Sequence, residues 1–176
     1  ELSPSTLNCG GHITIAVNDF TGQELNEKVR LNASVLLALF RKRLKNNYVR
    51  HNLRMQSYSN ILVDGNPNRL NHFNGWDRKY QLALAKGSTL EFRLPTRITS
   101  YKQMFRRYEL MYQIVDFSIT KPNGRFSSLL NKVKPTILSM YEGDTVKVDM
   151  IMSLAKDFYK FIKSGTVSNS IRDFIM

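Results

Sequence analysis

Two short stretches of this chain set side chains of the right types for chemistry at a useful spacing. The first is Cys9-Gly10-Gly11-His12, which opens a run of alternating apolar residues. Paired glycines let a backbone or a phosphate group come close. A histidine at the first position of a strand can ligate a metal or contact a phosphate. The plainer reading of the same residues is a partly exposed strand histidine after a tight turn. The second stretch is Glu91-Phe92-Arg93. Strand alternation puts its carboxylate and guanidinium on one face, about 6.5–7 Å apart along the backbone. That spacing suits a divalent cation held by the acid and a phosphate held by the arginine. It also suits an ordinary surface ion pair. If the two strands pair, His12, Thr14, Glu91 and Arg93 line one surface, and Arg97, just past the second strand, joins them.

A third region is basic and aromatic. Arg41, Lys42, Arg43, Lys45, Arg50 and Arg54 lie near Tyr48, His51 and Tyr58. Cations interleaved with stacking rings are what single-stranded nucleic acid or a phosphate-rich ligand needs. The alternative is a solvated helix end that runs into a polar loop. A nuclease of the His-hydrophobic-His type is disfavoured, because the first strand offers only His12. Cys9 beside its turn reads as an inert thiol.

The elements that must position these groups follow from periodicity. His12 to Val17 alternates as a strand. Thr21 and Glu24 form a capping box, and Leu25, Val29, Ala33, Leu36, Leu37, Phe40 and Leu44 predict one long amphipathic helix over 22–45. Residues 46–76 read as a loop, and 76–85 as a short helix. Thr89 to Leu94 alternates and stops at Pro95. Ser100 and Gln103 cap a helix whose stripe of Tyr101, Met104, Phe105, Tyr108, Met111, Tyr112 and Val115 predicts its core face. Helices follow over 127–134, ended by Pro135, over 145–163 with Gly165 as C-cap, and over 169–175. The fold class is α+β: a small antiparallel sheet packed with long helices, plus a helical C-terminal segment. Residues 1–118 form the body and 119–176 the helical appendage.

Bulk properties narrow the partners. The 176 residues suit one domain, and no apolar run is long enough to span a bilayer, so no membrane partner is expected. Lys and Arg number 26 against 14 Asp and Glu, a net charge of +12. The excess is spread along the chain and points to a polyanionic partner, nucleic acid among them. The single cysteine excludes an internal disulfide framework and a multi-cysteine zinc site. A location in the cytoplasm or within a virus particle is expected.

The order of Cys9 to Thr14, then Arg43-Leu44-Lys45-Asn46-Asn47-Tyr48 at a helix end, then Ser88 to Leu94, resembles the second half of the fold of phage and bacterial amidoligases. These are glutamine-synthetase-like carboxylate–amine ligases, and the likeness covers residues 9–116. It implies ATP and Mg²⁺ as cofactors. It implies that His12 and Glu91 share the metal, that Glu91 and Arg93 are catalytic, with Arg93 facing the transferred phosphate, and that Gly10, Gly11, Thr14 and Arg97 lie by the nucleotide. Thr14 stands where the family often has a second histidine, and Thr89 where it often has an arginine. The family's first half, with further carboxylate ligands, belongs before residue 9, and Asp19, Asp64 and Asp77 lie in turns. The expectation is therefore a ligase-like domain or fragment, inactive alone, completed by a second chain. The alternative is a non-catalytic basic module, such as a virus or phage particle component, that contacts nucleic acid or partner chains.

Overall fold

The computed structural model describes residues 11–44 and 82–175, with the side chains of 43–44 and 173–175 left aside. Gly10, Lys45, Arg50 and Arg54, and the Arg43 side chain, lie outside them. So does the whole of the predicted 46–76 loop.

The architecture is α+β. β1 (Ile13–Ala16), β2 (Ala83–Lys86) and β3 (Thr89–Phe92) form an antiparallel sheet in the order β1-β3-β2. β3 is central, with Thr14 opposite Glu91 on one side and Leu84 opposite Glu91 on the other. One face of the sheet is apolar: Ile13, Ile15, Leu90 and Phe92 are buried there. β2 and β3 form a hairpin whose two-residue turn is Gly87-Ser88. Gly87 has φ 51°, the left-handed backbone that such turns need. The prediction of a helix over 76–85 fails at its described end, because Ala83–Lys86 is a strand. Alternation there is masked by small and apolar residues on both faces, Leu82, Ala83 and Leu84 all being buried.

The long helix expected over 22–45 is three pieces: α1 (Gly22–Val29), α2 (Ser34–Leu39) and α3 (Arg41–Leu44). The Thr21–Glu24 capping box is present in both directions. The chain then turns at 30–33, where the Ser34 hydroxyl donates to the Leu31 carbonyl and Asn32 donates to Ser118. The physical reason for the break is the apolar run Val35–Leu39, which with Ser34 is buried at every residue. A straight amphipathic helix can bury only one face. Turning lets α2 sink whole into the helical layer.

That layer is α4 (Tyr101–Thr120), α5 (Phe126–Met140), α6 (Thr145–Ser164) and α7 (Asn169–Ile175). α2 packs on α6, α1 on α4 and the hairpin, and α5 between α4 and α6. A single hydrophobic cluster joins the sheet to these helices. α5 runs through Pro135 instead of stopping there. Pro135 and Asn131, the residue whose carbonyl loses its donor, are both exposed, while Thr136 and Ile137 beyond them are buried. Packing of the last turn outweighs the missing hydrogen bond.

α4 presents four of its five aromatic residues outward. Tyr101, Phe105, Tyr108 and Tyr112 are 80, 64, 50 and 55% exposed, and the buried set is Arg107, Leu110, Met111, Ile114, Val115, Phe117 and Ser118. The expected core stripe was the wrong face for all but Met111 and Val115. Among the described residues no helix is long and apolar enough to cross a membrane.

Candidate functional site

Antiparallel pairing sends directly opposed residues to the same face of a sheet. The side of β3 away from the core therefore collects Glu91 with Thr14 from β1 and Leu84 from β2. Arg93 follows Glu91 at period two. His12 precedes Ile13, whose partner is Phe92, so continuing the ladder by one step sets His12 beside Arg93. Gly11 secures the entry to β1. Its N–H donates to the Pro95 carbonyl at 3.0 Å, and a Cβ there would overlap the Thr96 carbonyl oxygen.

The centre of the cluster is the Glu91 carboxylate, only 7% exposed. One oxygen accepts from Lys86 Nζ and the other from Arg93 Nη1. His12 Nδ1 lies 3.5 Å from the oxygen that Arg93 holds. Burial pushes the Glu91 carboxyl up. The Lys86 hydrogen bond and the charges of Arg93 and Lys86 outweigh it and hold the group below the usual carboxylate value. Glu91 is thus an ionised, neutralised anchor. Around it stand an ammonium and a guanidinium, with an imidazole that is about one-third exposed.

Magnesium does not fit these residues as they stand. Mg²⁺ takes oxygen ligands in octahedral geometry and is held through carboxylates and phosphates. The carboxylate here already faces two cations, and its neighbour is an imidazole. Among the described residues there is no group of three or more His, Cys, Asp or Glu able to hold a metal ion.

No family model, no curated protein and no solved structure matches this chain.

Of the residues singled out from sequence, His12, Glu91 and Arg93 come together, and Thr14 lies exposed on the same face. Arg97 is exposed beyond β3, and its carbonyl accepts from Arg107. Arg41 and Lys42 line a separate cleft of about 390 Å³, whose lining includes none of the sheet cluster. Lys86 was missed. The signal for it was Lys86-Gly87-Ser88-Thr89: a two-residue hairpin there sets Lys86 opposite Thr89, on the face of Glu91. Arg107, buried beneath the cleft, was missed as well.

Proposed function

We propose that the outer face of the sheet is the phosphate-facing half of a carboxylate–amine ligase site, completed by groups from outside the described residues. One observation carries the reading: His12 and Arg93 meet on the same carboxylate oxygen of Glu91 from two adjacent strands. The resemblance over 9–116 implies a shared site for these same three residues.

In such a reaction the γ-phosphoryl group of ATP passes to a carboxylate oxygen, giving ADP and an acyl phosphate. An amine nitrogen then attacks the acyl carbon, phosphate leaves, and the nitrogen loses a proton. Glu91 would hold Arg93 and Lys86 in fixed positions. Their charges would neutralise the equatorial oxygens of the moving phosphoryl group. His12, at the accessible edge, would accept the amine proton. Magnesium arriving with the nucleotide would need carboxylates beyond those that the described residues gather here.

The test is calorimetric titration of ATP with excess Mg²⁺ into the wild type and Glu91→Ala. The reading expects a Mg²⁺-dependent binding step that the substitution abolishes. Absence of Mg²⁺-dependent binding, or such binding indifferent to Glu91, overturns it.

A second reading, a basic non-catalytic module of a virus or phage particle, is favoured by the +12 charge and by the neutralisation of Glu91 on the chain itself. It expects single-stranded nucleic acid to bind with an affinity that falls linearly in log–log terms as salt rises. Salt-independent association would exclude it.

A further inference from the structure

We propose a second anion site, independent of the sheet cluster: the cleft between α3, the start of α4 and the α5–α6 turn takes a compact polyphosphate, inorganic or carried by a nucleoside, without a divalent cation. Its cations are Arg41, Lys42, Lys102, Arg106, Arg107 and Lys147, and Glu142 is the one carboxylate among its described lining residues. Glu109 neutralises Arg106 in part, at 3.0 Å. The remaining excess is large for a concave surface, where field lines concentrate.

The floor of the cleft is built rather than incidental. Arg107 is 5% exposed. Its Nη1 donates to the carbonyl of Thr96 and, at 3.3 Å, to that of Arg97; Nη2 donates to the Thr96 hydroxyl at 3.1 Å. Its guanidinium carbon sits 5.2 Å from the centroid of the Phe40 ring. All these partners are neutral, and its Nε is buried with no hydrogen-bond partner. Burial lowers the pKa of the guanidinium, yet an arginine stays charged at any physiological pH. A buried cation without a carboxylate costs stability that carbonyl partners only partly offset. Retaining it here makes sense if an external anion supplies the missing charge.

The walls agree with that assignment. Ser100, Lys102 and Gln103 line the cleft, so the N-terminus of the twenty-residue helix α4 opens onto it. Ser100 Oγ accepts from the Gln103 N–H at 3.1 Å, but no acidic residue occupies the first turn of that helix, so its positive end is not neutralised by a side-chain charge of its own first turn. A volume of about 390 Å³ lies within the range of small-molecule sites, roughly 300–1,000 Å³. Several separated cations around one cavity match a ligand with several anionic groups. A chain of phosphates supplies those, and a single carboxylate does not.

The experiment uses the full chain, in EDTA and at low salt, titrated with pyrophosphate and, separately, with ATP. One-site binding of either anion is expected. Pyrophosphate alone sufficing means the phosphate chain is what is recognised; ATP alone binding means the nucleoside is read too, and both outcomes support the site. Lys42→Glu with Lys102→Glu, both at exposed positions, should weaken binding at least tenfold, and Glu91→Ala should leave it unchanged. If the double variant does not fold, Lys147→Glu alone should weaken binding in the same direction. No binding in EDTA, or binding that survives charge reversal, overturns the proposal. So does displacement of pyrophosphate by single-stranded oligonucleotides whose affinity climbs with length. Because the sheet reading fails through Glu91 and this one through Lys42 and Lys102, the two failures are distinguishable.

Discussion

His12 Nδ1 and Glu91 Oε1 stand 3.5 Å apart across the β1–β3 ladder, although 79 positions separate the two residues in the chain. Nothing local brings them together. The contact exists because Thr14 registers with Glu91, and because Gly11 lets the start of β1 lie against Thr96. A slip of one residue would send His12 to the core face.

Acidification should expose the energetics of this cluster. The Glu91 carboxyl is held below its usual value: burial works against that shift, and Lys86 and Arg93 overcome it. A depressed folded-state pKa contributes stability that is fully present above the unfolded value, about 4.3, and is lost as pH falls through the folded one. Glu91→Gln should therefore cost about 1–3 kcal/mol at pH 7, with the gap to wild type closing towards pH 3. Urea unfolding at pH 7, 5 and 3 measures it. A gap that stays constant with pH would contradict the assignment.

Much of this fold was legible from periodicity. β1, β3, the Thr21–Glu24 box, α4 and α6 fall where alternation, capping residues and three-to-four spacing put them. Three failures share one cause, which is that local pattern does not say what lies on each side. Val35–Leu39 continued a helical stripe, but being apolar all round it had to turn inward. α4 carries two apolar faces, and spacing alone gave no way to choose the aliphatic one. Pro135 stops a helix in isolation, yet packing of Thr136 and Ile137 carries α5 past it. The site was half legible for the same reason. Glu-x-Arg on one strand is a local pattern, whereas Lys86 and Arg107 reach their positions only through a hairpin register and a helix rotation.

The outward face of α4 gives a direct contrast. Phe105→Ser and Tyr112→Ser remove exposed side chains and should change unfolding free energy by no more than about 0.5 kcal/mol each. Ile114→Ala, at a fully buried position, should cost about 2–5 kcal/mol. Parallel urea titrations of the three variants decide the orientation. A loss at Phe105 or Tyr112 comparable to that at Ile114 would mean the aromatic face is covered.

Asn26 on α1 is fully buried, and neither its Oδ1 nor its Nδ2 has a hydrogen-bond partner. An amide left unsatisfied in the interior costs about 1–3 kcal/mol. Asn26→Leu keeps the branched heavy-atom skeleton, with bulkier methyl ends, and removes both orphaned groups. Its melting temperature should rise, by about 2–4 °C per kcal/mol for a chain of this size. A fall would show that the amide is satisfied and that its polarity is used.

Pro135 offers the last test, because it sets two opposing terms against each other. Inside α5 it removes one backbone donor and crowds the preceding turn, which costs about 3 kcal/mol in an isolated helix. It also stiffens the unfolded chain, which favours the folded state by about 0.4–1 kcal/mol. The position is exposed and so tolerates some relaxation of the helix, which reduces the first term without cancelling it. Pro135→Ala restores an amide that can donate to the exposed Asn131 carbonyl. It should stabilise the protein by about 1–2 kcal/mol, read as a higher urea midpoint with an unchanged slope. A lower midpoint would mean that the proline is needed where it stands, with α5 bent there to seat Thr136 and Ile137 against the core.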